Sequence, residues 1–366
     1  MNFRNPLDQS FYIFKQSRLF ENIRLWKHLF PQVHPYYAMK CNNYKPILKT
    51  LGKNGFGFDC ASIAEINTIK KHAPCSPIIF ANPIKMVSHL NAIKYSTEQV
   101  SMMTFDSIEE LNKIKYHDKM RIIRLAVDDR YSASRLNTKF GIGLDSIESL
   151  FKRATIPITG IAFHVGSNCR SSESYTNALN DTITALDIAN RYGHNISTID
   201  IGGGFSNNLS LLNEISVIMK NFSAQYPCLD LIGEPGRLMV ENVFDLYVKI
   251  IGKSNNKYFI NNSIYGDLNC IIFDNKNLTF DCITELHGII TMIDGVWIDS
   301  DKNVHGTKKI QLFGATCDSL DVIFKEIDVP EVLSVNDHLK FHNMGAYTYS
   351  ARSNFNGIAC AEVRHK

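Results

Sequence analysis

A lysine, several carboxylates, an arginine, a histidine and a glycine triplet stand at the ends of short apolar runs in the first two thirds of the chain. They are Lys40, Asp59, Asn82, Asp106, Arg124, His164, Gly202-Gly203-Gly204, and Glu234 with Arg237. Singly, each has an ordinary explanation. A strand-end lysine is usually solvated, a lone histidine usually sits satisfied in core or surface, and a strand-end aspartate often caps the next helix. Together they are the material of a phosphate-bearing cofactor site. Three consecutive glycines let backbone N–H groups approach an anion closely. Glu234-Pro235-Gly236-Arg237 adds a carboxylate and a guanidinium after the next run. A phosphate site with a lysine amine across from it suits pyridoxal 5'-phosphate. Its aldehyde needs an amine, its pyridine nitrogen an acid and its phosphate backbone donors.

Such side chains act together only if the elements carrying them converge. The runs are Pro35–Lys40, Gly55–Cys60, Pro77–Asn82, Ser101–Asp106, Met120–Val127, Ile158–Val165, Ser197–Gly204 and Asp230–Gly236. Helical segments separate them, for instance Ser174–Tyr192, where Leu179, Ile183, Leu186 and Ala189 follow a helical spacing. Alternating strand and helix patterns argue for a parallel sheet. Eight units favour an α/β fold of the closed (β/α)8 TIM-like barrel type over an open doubly wound sheet. In such barrels the loops after the seventh and eighth strands often hold phosphate, and here those loops carry the glycine triplet and Glu234–Arg237.

From about Phe244 the pattern changes. Strand-like runs at Phe244–Ile251, Ile289–Trp297, Lys308–Phe313, His338–His342 and Phe355–Val363 predict a β-rich C-terminal sandwich or barrel domain. The run Phe11–Phe14 is placed with that sheet. The predicted division is therefore a barrel over 16–243 and a β-rich domain made of 1–15 and 244–366.

Composition narrows the function classes. The 366 residues are 45% hydrophobic and 20% charged, with a formal net charge of +3, ordinary for a globular protein. That balance does not point to nucleic acid, and no apolar run approaches a membrane span. The N-terminus lacks the apolar core of a signal peptide. Nine cysteines form no C-x-x-C pair, and no His/Cys spacing marks a zinc site, so no metal is expected. Reduced cysteines point to the cytoplasm.

The segments Tyr37–Asn42, Phe58–Ser62, Phe163–Ser167, Asp200–Gly204, Glu234–Arg237, Cys317-Asp318, Gly345–Tyr347 and Phe355–Gly357, in this order, resemble those of the pyridoxal-phosphate-dependent ornithine/arginine/diaminopimelate decarboxylase family. The resemblance is strongest to the compact, viral-like members of the eukaryotic-type ornithine decarboxylase branch. It implies decarboxylation of L-ornithine to putrescine, a step of polyamine biosynthesis, by a homodimer with shared active sites. Lys40 would carry the cofactor as a Schiff base, Glu234 would face the pyridine nitrogen and His164 would stack on the ring. Ser167, Gly203, Gly204, Gly236, Arg237 and Tyr347 would hold the phosphate, with Asp59 and Arg124 around ring and lysine. Cys317 would be the proton donor, reaching the partner subunit's site. Tyr265, Phe273, Asp274 and Asp318 would bind the substrate.

The resemblance also implies that Asp106 and Lys139 pair across the subunit interface. Departures are Asn168 and Ser319 where glycine is usual, Phe313 where tryptophan is usual, and Phe273 where tyrosine is commoner. The chain stops at Lys366, without the acidic, Pro/Ser-rich extension of some animal members. The alternatives are an arginine or lysine decarboxylase on the same scaffold, or a non-catalytic regulator of the antizyme-inhibitor kind.

Overall fold

A computed structural model describes residues 9–94 and 99–365. The chain forms two compact units. One is Glu21–Met239; the other joins the described residues up to Phe20 with those from Val240 onward. Of the expected N-terminal part of the β-rich domain, residues 1–8 lie outside the described residues.

The first unit holds a closed eight-stranded parallel barrel. Its strands are Val33–Ala38, Gly57–Cys60, Ile78–Phe80, Val100–Phe105, Met120–Arg124, Gly160–Ala162, Thr198–Asp200 and Asp230–Gly233. Each overlaps one of the eight runs read from the sequence. Closure comes from Asp230–Gly233 pairing with Val33–Ala38, Leu231 opposite Val33. Inside, Tyr36, Ile79, Met102, Ile122, Ala162 and Ile232 form one packed layer from six strands, so the interior is core and not a pore.

Short side-chain caps turn the chain from strand into helix. Ser62 Oγ accepts the Glu65 N–H at 3.3 Å, Ser107 Oγ the Glu110 N–H at 3.3 Å, and Asn208 Oδ1 the Leu211 N–H at 3.2 Å. Each satisfies a donor that a helix start leaves open. The loop after the fifth strand is fixed likewise, with Asp106 Oδ2 accepting the Gly141 N–H at 3.0 Å. Asp106 thus has a structural partner within its own chain.

The second unit is a mixed eleven-stranded sheet among the described residues. Phe244–Ser254 lies at its middle, between His338–Phe341 and Lys257–Ile260. Phe11–Phe14 pairs antiparallel with Phe244–Tyr247 and parallel with Glu362–His365. The Phe11 and Tyr247 rings stack at 4.9 Å, and Lys15 meets Asp245 at 2.8 Å.

Two sequence expectations fail here for a backbone reason. Ile289–Trp297 is not one strand but a hairpin of Gly288–Ile293 and Val296–Asp299. Its turn residues Asp294 and Gly295 sit at φ 50° and 83°, the left-handed pair that a two-residue hairpin requires. Phe355–Val363 splits too: Phe355–Gly357 is a 3-10 turn with Asn356 at φ 55°, and the strand begins only at Glu362. The sequence reading also passed over the strands Lys257–Ile260, Phe280–Thr284, Val304–His305 and Val322–Pro330. No helix among the described residues is long and apolar enough to cross a membrane.

Candidate active site

The barrel brings Lys40, Asp59, Arg124, His164, Gly203, Gly204, Glu234 and Arg237 to the carboxyl ends of its strands. Lys40 lies in a 3-10 turn, Met39–Cys41, directly after the first strand. Its side chain is 47% exposed, and Nζ stands 3.4 Å from Oδ2 of buried Asp59 on the adjoining strand. The Ala38 N–H donates to the Pro235 carbonyl at 3.2 Å, which ties the lysine turn to the loop that carries Glu234.

Glu234 is buried, and its partner in the interior is Asp200, the last residue of the seventh strand. The two carboxyls interact directly, and burial raises the proton affinity of both, which favours a proton shared between them. Burial pushes the Asp200 carboxyl up to about 7, against the Gly202 N–H that donates to its Oδ1 at 2.9 Å. Burial and then the Asp200 charge push Glu234 well above the carboxylate range. Two adjacent buried carboxyls cannot both ionise cheaply.

His164 is buried and neutral. Burial, then the charges of Arg124 and Lys40, hold its imidazole well below the usual value. Nδ1 accepts the Gly166 N–H at 3.0 Å, which leaves the proton on Nε2. The Nε2 edge lies against the glycine triplet. A Cβ on Gly203 would stand 2.8 Å from it and 3.0 Å from the Glu234 carbonyl. At φ +104°, Gly204 would press a Cβ to 2.7 Å from Val165 and 2.9 Å from the Tyr175 hydroxyl. Tyr175 in turn donates to the Gly203 carbonyl at 2.9 Å. Only glycine fits this cradle.

Beside the cradle, Arg237 Nη2 donates to Ser167 Oγ at 3.2 Å. Asn168, the departure from glycine, sits at φ 54°; asparagine is among the few other residues that adopt this region readily. Arg124 Nε and Nη2 are buried with no hydrogen-bond partner among the described residues. Burial pulls its guanidinium down, with Glu234 first among the carboxylates that oppose this. These residues fit pyridoxal 5'-phosphate: an accessible amine, a protonated acid pair, a neutral flat ring, a glycine cradle and unsatisfied guanidinium donors.

Residues 16–241 match the model of the family described as "Pyridoxal-dependent decarboxylase, pyridoxal binding domain". The chain belongs to this family. Its cofactor is pyridoxal 5'-phosphate, and its class is that of decarboxylases of the ornithine, arginine and lysine type. The chain is 34% identical to the ornithine decarboxylase of Mus musculus, over 95% of this chain and 78% of that one. It is 36% identical to antizyme inhibitor 2 of Xenopus laevis, over 94% and 78%. Among solved structures, the arginine decarboxylase of Paramecium bursaria Chlorella virus, bound to agmatine, superposes with a TM-score of 0.88 at 33% identity, covering 99% of this chain and 97% of that one.

The remaining candidates of this decarboxylase lie in the β-rich unit. Cys317 is exposed, and its N–H donates to Asn356 Oδ1 at 3.0 Å. Asp318 Oδ1 accepts the Leu320 N–H at 2.9 Å, and Oδ2 accepts the Tyr265 hydroxyl. These two donors, the backbone one first, hold Asp318 below the usual carboxylate range and hence ionised. The Tyr265 ring lies 4.5 Å from that of Phe355. The segments of Tyr265, Cys317-Asp318 and Phe355-Asn356 therefore meet. Asp274 is buried just past the short helix Cys270–Phe273, while Phe273 is 70% exposed. Tyr347 takes a left-handed backbone at φ 55°. Ser319 lies outside the positive-φ region, so the strain expected if that position needed glycine does not arise.

Several residues of these sites went unassigned in the sequence reading. Asp200 stood inside the glycine motif, and only its pairing with Glu234 gives it a role. Glu65 Oε2 accepts the Ala61 N–H at 2.7 Å behind Asp59; Ser62-x-x-Glu65 is a capping-box pattern that could have drawn attention to it. Asp321 shapes the Cys317 loop by accepting the N–H groups of Ile264 and Thr316, each at 3.0 Å.

Proposed function

We propose that this protein decarboxylates L-ornithine to putrescine, in the cytoplasm, as a homodimer whose sites draw on both subunits. The observation that carries the reading is the convergence of Lys40, the Asp200–Glu234 pair, neutral His164 and the glycine cradle at one barrel mouth.

When bound, pyridoxal 5'-phosphate supplies the electron sink for the pair released as carbon dioxide leaves. Lys40 would offer the amine that anchors its aldehyde, and Asp59, 3.4 Å from Nζ, would hold that amine in place. Glu234 and Asp200 share the proton needed opposite the ring nitrogen and keep the compensating charge buried. His164, being neutral, would pack against the ring without adding positive charge there. Ser167, Arg237 and the backbone of Gly203, Gly204 and Gly236 would receive the phosphate, and the family resemblance adds Tyr347. Arg124 supplies donors beside the ring.

In the β-rich unit, Asp318 and Asp274 bind the distal ammonium of the substrate, with Tyr265 and Phe273 alongside. Cys317 gives a proton to the substrate Cα once the carboxylate has gone. Cys317 lies at the surface of the single chain, which supports its use by a second copy.

Ornithine is preferred because ionised Asp318 and buried Asp274 are short carboxylates suited to a compact ammonium. Similarity to a viral arginine decarboxylase over 99% of the chain favours arginine as the second reading. The resemblance to an antizyme inhibitor weighs less, since Lys40, His164, Glu234, Cys317 and Asp318 are all present. Carbon dioxide release from ornithine, lysine, arginine and diaminopimelate tests this. The highest kcat/KM is expected for ornithine. A preference for arginine establishes the second reading, and a folded protein inert toward all four overturns catalysis.

A further inference from the structure

Outside the decarboxylase machinery, one cluster gathers metal-ligating atoms from three separate segments. His287 lies in the turn between the strands Phe280–Thr284 and Gly288–Ile293. Asp299 ends Val296–Asp299, and His305 ends the two-residue strand Val304–His305 at the rim of the sheet. One imidazole nitrogen of His287, one of His305 and an Asp299 oxygen all lie within 4.8 Å of one another. From the geometry of this cluster we infer that His287, Asp299 and His305 form a binding site for a divalent first-row transition metal, with Zn2+ as the reference ion.

The geometry supports this in three ways. First, Asp299 is divided by function. Its Oδ1 accepts the Asp301 N–H at 3.0 Å and the Asn303 N–H at 2.8 Å, which fixes the carboxylate plane. Its Oδ2 is turned toward the histidines, with Asn303 Nδ2 behind it at 3.1 Å. Ligating carboxylates are characteristically held by such outer hydrogen bonds.

Second, the distances are close to those of a coordination shell. Oδ2 lies 3.1 Å from His305 Nε2 and 4.0 Å from His287 Nδ1. Ligands about 2.0–2.1 Å from a tetrahedral zinc are separated by about 3.3 Å. His305 already meets that spacing, and His287 needs a ring movement of well under a side-chain length. His287 is the half-buried member, on a turn, while the Asp299 and His305 side chains are 2% and 8% exposed.

Third, the donor set is chemically apt. Two imidazoles and one carboxylate suit zinc and its neighbours, in contrast to the all-oxygen shell of calcium or magnesium. Three protein ligands leave a fourth position for water. The metal would join the rim hairpin Val296–His305 to the turn at His287 and so anchor an edge of the sheet. Sequence spacing conceals the site, because its three ligands come from different segments that only the sheet pairing unites.

The bland alternative is a hydrogen-bonded His305–Asp299 pair that merely closes the hairpin. A titration separates the two. The full-length holoenzyme, freed of metal by chelation, is titrated with Zn2+ by calorimetry. Co2+ absorption serves as the second probe, because a thiolate ligand adds a charge-transfer band that a His/Asp site lacks.

One equivalent per chain, no thiolate band and a raised Tm are expected. His287→Gln and His305→Gln should each weaken binding by tenfold or more, at least the roughly 10–100-fold that loss of an outer-shell partner costs. His287→Gln is the decisive variant, because it leaves every Asp299 loop hydrogen bond in place and should match the parent in near-UV circular dichroism. Absence of stoichiometric binding, a thiolate band, or affinity unchanged in His287→Gln would overturn the assignment.

Discussion

Replacing Asp200 by asparagine isolates the proton shared at the barrel mouth. In the folded protein the Asp200 carboxyl is raised to about 7 by burial, whereas in the unfolded chain it titrates at about 3.9. Between those values the native state keeps a proton that the unfolded state has lost. The native state therefore binds one more proton, and stability falls as pH rises, by about 1.4 kcal/mol per pH unit. The destabilisation is absent below about pH 4 and complete above about pH 7, on the order of 4 kcal/mol in all.

The asparagine of this variant would not titrate, and its amide oxygen can still accept the Gly202 N–H that Asp200 Oδ1 holds at 2.9 Å. The assay is urea unfolding of cofactor-free protein at a series of pH values, wild type against Asp200→Asn. The stability difference, variant minus wild type, should grow from about pH 4.5 to about pH 7 by a few kcal/mol. Saturating pyridoxal 5'-phosphate should shrink the wild-type slope, because Glu234 then gains a protonated ring nitrogen as partner. Parallel profiles for the two proteins would refute the shared-proton reasoning.

Four further outcomes are expected. Lys40→Ala should lose the cofactor's borohydride-stable attachment and nearly all turnover; retention of that adduct would place the attachment on another lysine. Glu234→Gln should keep the fold but lower kcat by on the order of 10²-fold or more, as for loss of a preorganised electrostatic group, and unchanged turnover would remove it from the pyridine role. Asp318→Ala should raise KM for ornithine, through loss of a carboxylate facing its distal ammonium, with a much smaller loss toward an apolar amino acid of similar length. Mixing Lys40→Ala and Cys317→Ala subunits should restore about a quarter of wild-type activity, since about half of randomly re-paired dimers are mixed and each has one intact site; no recovery, with mixed dimers confirmed by mass, would mean that each chain completes its own site.

The barrel was legible because each of its strands is a buried apolar run with a polar side chain or glycine at its carboxyl end. That pattern is local, and Lys40, Asp59, His164 and Glu234 could be read off as strand-end residues. What the pattern could not supply is pairing across the barrel. Asp200 and Glu234 lie on adjoining strands, and their shared proton follows from burial, which no spacing encodes. The β-rich unit was harder because its turns are made by left-handed residues such as Asp294, Asn255 and Asn356. An apolar run can pass straight through such a turn and read as one strand. The loop of Cys317 illustrates the same limit: the motif marked the cysteine, while the side chain that builds the loop is Asp321, buried and spent on backbone N–H groups.

The proposed function also suggests where substrate choice would be made. The family match covers residues 16–241, the barrel with its lysine, acid pair and glycine cradle. Similar chains include ornithine and arginine decarboxylases, so the family's shared lysine, acid and glycine cradle do not tell those substrates apart. On the proposed function, discrimination would fall to Asp274 and Asp318 beyond that span, and these two carboxylates differ in setting. Asp318 is held ionised by Tyr265 and Leu320 on an exposed loop, whereas Asp274 is buried beside an exposed Phe273. A buried carboxylate at the end of a short helix has little freedom to follow a longer substrate, while a loop carboxylate can move with its tyrosine. On the proposed function, pocket depth would be set at Phe273-Asp274, and charge recognition at Asp318. A change from ornithine to a longer basic amino acid should come from residues 273–274 with Asp318 left in place.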